Sequence, residues 1–297
     1  MALVAANVGF SSPLPNAGAP TKIVVTVTPS AGVSAPQILG ADDLAVTLGK
    51  TPAHVIGSQR LIGSLADMQL FVLLDDSLRS SSLSLQLPEL KAFIASLPPT
   101  TEVAVGYMRN GTARLVQEFT TDHEKAAGSL RLPEAIAGGN GSPYFALSDL
   151  AKHWPSKQAT GRRTVLMLTD GVDRYYDNSM VEDPYAEESV HDALKQGVMV
   201  YSIYMRDAGL YDRGSQTTLF AQSRLGEVSD QTGGHAYFQD FTDPVSISPF
   251  LNDFQSRLDR QYQVTVEGPG KKGVQPIQVR SELRGIKIQG PTRIYVQ

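Results

Sequence analysis

The residues of this chain best suited to chemistry are carboxylates and hydroxyls at the ends of apolar runs. Leu70–Leu74 is followed by Asp75-Asp76-Ser77-Leu78-Arg79-Ser80-Ser81, with an Asp and a Ser two positions apart. Val165–Leu168 is followed by Thr169-Asp170-Gly171. Between them, Gly138-Gly139-Asn140-Gly141-Ser142-Pro143 brings a further hydroxyl just ahead of a helix signal. Oxygen donors of this kind suit a hard cation such as Mg²⁺ or Ca²⁺. Two carboxylates could instead serve metal-assisted hydrolysis.

Residue types exclude several other chemistries. The chain has no cysteine, which removes disulfides, thiolate catalysis and Cys-ligated zinc. Its five histidines are scattered, none at the i, i+4 spacing of a helical metal pair. No glycine-rich turn follows Leu74, which argues against a dinucleotide or P-loop site. Neither Ser77 nor Ser142 lies in a Gly-x-Ser-x-Gly elbow. Capping a helix is the commoner role for such serines.

The elements that must position these groups can be read from pattern. From Gln69 to about Asp243, continuous apolar runs (Leu70–Leu74, Val103–Met108, Val165–Leu168, Val198–Tyr204) predict strands buried on both faces. Helices are expected between them over Pro88–Ser96, Asp122–Leu130, Phe145–His153, Glu187–Gln196 and Thr217–Thr232, with Gly197 and Gly233 as stop signals. Arg109-Asn110-Gly111-Thr112 reads as a hairpin turn, placing Ala113–Phe119 as an antiparallel edge strand. Alternating β and α predicts a doubly wound, mostly parallel sheet, whose ligands bind beyond the strand carboxyl ends.

The flanks read differently. Lys22–Thr28, Leu44–Lys50 and Ala53–Ile56 are strand-like, as are Tyr262–Val266, Ile277–Val279, Ile286–Ile288 and Arg293–Val296, while Pro249–Arg260 is an amphipathic helix. Neither end has enough strands to close a sandwich alone. The expectation is a β-sandwich made from both chain ends, with the α/β part inserted. That gives a leader at 1–20, half of the sandwich at 21–64, the α/β domain at 65–260 and the other half at 261–297.

Asp75 and Ser77, a hydroxyl in the glycine-rich loop, and Asp170 in Thr-Asp-Gly together resemble the von Willebrand factor type A domain and its metal-ion-dependent adhesion site. Leu225–Phe238, with its Gly-Gly turn, resembles that family's last helix and strand, so the likeness spans roughly residues 66–245. The resemblance implies a six-stranded, Rossmann-like sheet with Leu70–Leu74 central. It implies metal ligands at Asp75, Ser77, Ser142 and Asp170, for Mg²⁺ or Ca²⁺. One position departs from the pattern: Arg79 stands where a second serine ligand belongs. An arginine supplies no oxygen, so the site reads as degenerate, with the Arg79 guanidinium expected beside Asp75 or Asp170 as a substitute cation.

The expected function is therefore a non-enzymatic binding or adhesion module. Its top face would engage a protein or polysaccharide through Arg79, Asn140, Asp173, Arg174, Tyr175 and Tyr176, since Tyr and Arg are enriched in binding hot spots. The alternatives are a metal-assisted hydrolase using Asp75 and Asp170, and an inert assembly subunit. A net charge of −4 with no basic run gives no nucleic-acid footprint. No apolar stretch is long enough to span a membrane. The β-rich flanks resemble exported bacterial relatives of the family, which implies a periplasmic or extracellular position.

Overall fold

The computed structural model describes residues 20–36, 38–136, 139, 141–158, 161–176, 182–206, 215–240, 242–268 and 271–296. The expected leader therefore lies outside the described residues, apart from Pro20. The chain begins with β1 (Thr21–Pro29), β2 (Leu44–Leu48) and β3 (Thr51–Arg60). It continues through β4 (Met68–Asp75), α1 (Ser80–Ala95), β5 (Thr101–Arg109), β6 (Thr112–Thr120), α2 (His123–Gly128), α3 (Pro143–Lys152) and β7 (Arg162–Thr169). Then come α4 (Pro184–Gln196), β8 (Val198–Tyr204), α5 (Ser215–Thr232), β9 (Ala236–Tyr237) and α6 (Ser248–Leu258). It ends with β10 (Gln261–Glu267), β11 (Gly273–Ser281), β12 (Ile286–Gln289) and β13 (Arg293–Val296).

The middle strands form a six-stranded sheet in the order β6-β5-β4-β7-β8-β9. Strand β4 is interior, parallel to both β5 and β7, and only β6 runs antiparallel, at an edge. Every residue of β4 is buried because both faces are covered. Leu70, Val72 and Leu74 join Leu83, Leu90 and Ile94 of α1 and Leu251, Phe254 and Leu258 of α6 in one core. Phe71 and Leu73 point the other way, into a core with Tyr144 and Leu147 of α3, Val190 of α4 and Leu225 of α5. Each such fully buried side chain stabilises by about 1.5–3 kcal/mol. The β5–β6 turn places Asn110 and Gly111 at φ 52° and 70°, the left-handed pair that a two-residue hairpin needs.

Both chain ends contribute to a second, antiparallel sheet. Its seven strands run β12-β1-β10-β3-β2-β11-β13, and Thr21 of β1 pairs with Val266 of β10. This sheet is curled over one core that includes Val25, Val27, Val46, Val264 and Ile294. Strands from both ends thus share a single hydrogen-bonded order rather than forming separate β modules.

Several boundaries differ from the pattern reading, among them β11, which runs Gly273–Ser281 where Ile277–Val279 is expected. Helix α1 begins at Ser80, eight residues before Pro88, which lies inside it. Proline cannot donate to the Ser84 carbonyl, but Ser84 and Pro88 are both exposed, where water can satisfy that oxygen. Strand β3 is much longer than Ala53–Ile56 because its polar flanks pair in the ladder without being buried.

Candidate functional site

The carboxyl ends of β4 and β7 meet in a closed polar cluster. Asp75 is the last residue of β4. Its Oδ1 accepts from the Ser77 amide at 2.9 Å and the Ser77 hydroxyl at 2.7 Å. Its Oδ2 accepts from the Thr169 hydroxyl at 3.0 Å. Asp170, directly after β7, accepts from the Val172 amide at 2.9 Å. It is gripped by Arg174, with Nη2 at 2.6 Å from Oδ2 and Nη1 at 3.4 Å from Oδ1. Asp75 and Asp170 are each 1% exposed.

The segment after Asp170 turns back into the molecule. The Arg174 amide donates to the Gly141 carbonyl at 2.8 Å. Asp173 is buried, accepting from the Tyr175 amide at 2.8 Å and the Ser142 hydroxyl at 2.6 Å. Ser142 also caps α3, its Oγ accepting from the Phe145 amide. The Tyr175 ring lies over Gly141, where a Cβ would come within 2.2 Å of it, so a larger residue there would push the ring aside. Tyr175, 56% exposed, packs edge-on against Phe145, while Phe145 and Tyr176 both contact Tyr185.

A second arginine lies deeper. Asp183 caps α4 through the amides of Tyr185 and Ala186. The other oxygen of Asp183 is 3.5 Å from Arg224 Nη1, with both side chains almost wholly buried. Asp75, Asp76, Asp170, Asp173 and Asp183 are thus all buried at this end of the sheet, with Arg174 and Arg224 beside them and Arg131 and Arg109 on Asp76. Asp170 and Asp183 each have an arginine in ion-pair range. Asp75 and Asp173 are held by hydroxyl and amide donors, and their pKa values are raised. Burial is the main cause for both, and for Asp75 the neighbouring Asp170 charge is next. Burial likewise pushes the Tyr144 hydroxyl well up; that hydroxyl donates to the Gly171 carbonyl at 2.9 Å.

These contacts bear on whether the residues suit a metal ion. Both oxygens of Asp75 are engaged by Ser77 and Thr169, those of Asp170 by Arg174, and the Ser142 hydroxyl by Asp173. A hard cation needs about six oxygens at near-octahedral positions. Among the described residues no three His, Asp or Glu side chains are grouped to hold one. Asp75, Ser77 and Asp170 lie together, while the Ser142 hydroxyl is bonded to Asp173; with their oxygens engaged in this way they do not fit Mg²⁺ or Ca²⁺.

Three placements correct the sequence reading. Arg79 is exposed at the N-terminus of α1 and pairs with neither carboxylate; Arg174 occupies the cationic position instead. The cause is the turn after β7, whose hydrogen bonds to Gly141 and Ser142 fold residues 173–174 inward. Asp173 and Arg174, expected among the contact residues, therefore hold the loop from within. Tyr175 and Tyr176 stay at the surface, and Asn140 lies outside the described residues. Asp183 and Arg224 were not singled out as a site pair; 41 positions apart, they leave no local signal beyond the acidic run that opens α4.

Since burial already disfavours the charged form of Asp75, Asp75→Asn should cost no more than about 1 kcal/mol. A raised folded-state pKa stabilises the fold below the ordinary carboxylate range and less as pH rises through it. The melting temperature of Asp75→Asn, relative to the unmodified protein, should therefore rise between pH 4 and pH 7, about the range where a raised carboxyl titrates. A constant difference across that range would mean that Asp75 titrates as an ordinary carboxylate.

No family model matches the chain, and no curated protein sequence does. Among solved structures, it is similar to an aerotolerance-related membrane protein from Bacteroides fragilis, at 14% identity and a TM-score of 0.43 over 65% of this chain and 98% of that one. The conserved hypothetical protein BatB from Bacteroides thetaiotaomicron gives 13% and 0.43 over the same shares. The human COPII-coat protein Sec24c gives 9% and 0.43 over 78% of this chain and 44% of its own. Likenesses at this level carry no argument about function, which must be read from the site itself.

Proposed function

We propose that the chain is a von Willebrand factor type A-like binding module that engages a protein or polysaccharide through the top of the sheet without a metal. What carries this reading is the closure of the carboxylate cluster next to a loop that exposes an aromatic residue. Asp75 and Asp170 are buried and committed to internal partners, while Tyr175, on the loop that follows Asp170, is exposed and that loop is fixed from within. A hydrolase using these two carboxylates would have to present them to substrate, which their burial opposes. The sequence likeness to the family supports the reading, as does a sheet with only β6 antiparallel. Likeness of the flanks to exported relatives supports a position outside the cytoplasm. Among the described residues no helix is long and apolar enough to cross a membrane.

Tyr175→Ala removes a surface ring without touching the buried pairs. A hot-spot loss of about 2 kcal/mol is roughly a thirtyfold drop in affinity. Capture of partners from native extracts on immobilised protein should fall by about that factor. Leu115→Ala, on the exposed edge strand β6, serves as the control and should not alter capture. Equal capture by Tyr175→Ala and the unmodified protein would count against this face and favour an inert assembly subunit.

A further inference from the structure

We infer that Arg174 is the built-in cation of this site: its guanidinium supplies the positive charge that the clustered strand-end carboxylates require, and it closes the top of the sheet without a metal ion. Two carboxylates at neighbouring strand ends repel unless something positive lies between them. Arg174 meets that need at Asp170 with a two-nitrogen grip, the geometry for which a guanidinium is better suited than an ammonium, while Asp75 is held by Ser77 and Thr169 and Asp76 by Arg131. The pair is shielded from water, with the side chains 10% and 1% exposed.

The delivery of the guanidinium is specified by the chain, not left to a flexible side chain. The Val172 amide on Asp170, the Tyr175 amide on Asp173, the Ser142 hydroxyl on Asp173 and the Arg174 amide on Gly141 together fix the turn. Arg174 Nη1 further donates to the Val172 carbonyl at 3.2 Å, tying the side chain to its own turn. A divalent ion here would have to break the Asp170–Arg174 pair and draw oxygens away from Ser77, Thr169 and Asp173. The sequence pattern that resembles a metal site is thus filled by a residue outside that pattern, four positions after Asp170. This inference rests on the ion pair and not on the binding reading above, so the two can fail separately.

The test uses the full chain and thermal melting. Melts in chelator and in millimolar MgCl₂, CaCl₂ or MnCl₂, matched for ionic strength with NaCl, should coincide. A cation-specific rise in the midpoint overturns the inference. Arg174→Met should lower the midpoint, because it leaves Asp170 buried without its counter-ion. Asp170→Asn/Arg174→Met, which removes both charges, should recover most of that loss. If Arg174→Met fails to fold, a folded double variant still supports the pair. A double variant as unstable as the Arg174→Met and Asp170→Asn losses added together, or one that fails to fold, overturns it.

Discussion

Asp183→Ala is expected to destabilise the protein by about 3 kcal/mol, chiefly by removing the buried charge that faces Arg224. Arg224 is 2% exposed, and the contact with Asp183 joins α5 to the start of α4. At 3.5 Å it is longer than a charge-assisted hydrogen bond, which keeps the loss at the low end for a buried ion pair. The alanine variant also loses the cap that Asp183 provides to the amides of Tyr185 and Ala186. A lost cap costs about 1 kcal/mol. Asp183→Asn separates the two effects, since its oxygen can still cap while its charge is gone. Asp183→Asn should therefore show most of the loss, and Asp183→Ala slightly more. In a chain of this size the loss should lower the melting midpoint by roughly 5–15 °C. An Asn variant that melts with the unmodified protein would show that the ion contact contributes nothing.

Gly234→Ala should be comparably severe for a different reason. Gly234 sits in the turn between α5 and β9, its amide bonded to the Ser229 carbonyl at 2.9 Å. A Cβ there would lie 1.9 Å from the Val200 carbonyl oxygen and 2.6 Å from its carbon. These are backbone atoms of β8, which is paired on both sides, so neither can step away cheaply. Overpacking a side chain costs about 1–3 kcal/mol, and a backbone obstacle should cost at least the upper figure, about 3 kcal/mol. Gly197 provides the comparison. It takes the left-handed conformation at the end of α4, with φ 65° and open space where a Cβ would go. Gly197→Ala should then cost only the conformational strain, about 1–2 kcal/mol. Denaturant unfolding of the two variants side by side would distinguish close approach from strain. Equal losses would mean that the β8 contact is not what demands glycine at 234.

The fold was legible wherever burial left a periodic mark. Leu70–Leu74 and Val198–Tyr204 are apolar on both faces because helices cover both faces, and that alone announces an interior parallel strand. Asn110-Gly111 announced the hairpin through the left-handed backbone it permits. The start of α1 was hidden because Ser80, Ser81 and Ser82 read as loop and Pro88 reads as a first turn. In the site, Asp75, Ser77 and Asp170 were legible as neighbours, since strand ends fix their places, while Ser142 opens α3 and bonds to Asp173 instead. Their partners were not. Arg79 stood in the suggestive sequence position, yet the backbone directs it outward, and Arg174 reaches Asp170 only because Gly141 and Ser142 fold its loop back. Side-chain pairing across loops depends on the path of the backbone, which hydrophobic period does not encode.

The pairing of β1 with β10 bears on the order in which the molecule assembles. Tyr262 sits opposite Arg60, and the Leu61 amide donates to the Gln261 carbonyl at 3.0 Å, so the chain leaves the curled sheet and rejoins it at adjacent points. Beside that junction, Arg162 donates to the carbonyls of Ala66 and Leu258 and to the Gln261 side chain. Until the intervening residues are compact, bringing Thr21 to Val266 means closing a very long flexible loop. Contacts so distant in sequence slow folding. Once β4 to α6 have formed, the same ends are already neighbours and little closure entropy remains. The seven-stranded sheet should thus be the last part to gain protection from hydrogen exchange during refolding, with Arg162 fastening the seam along which it zips.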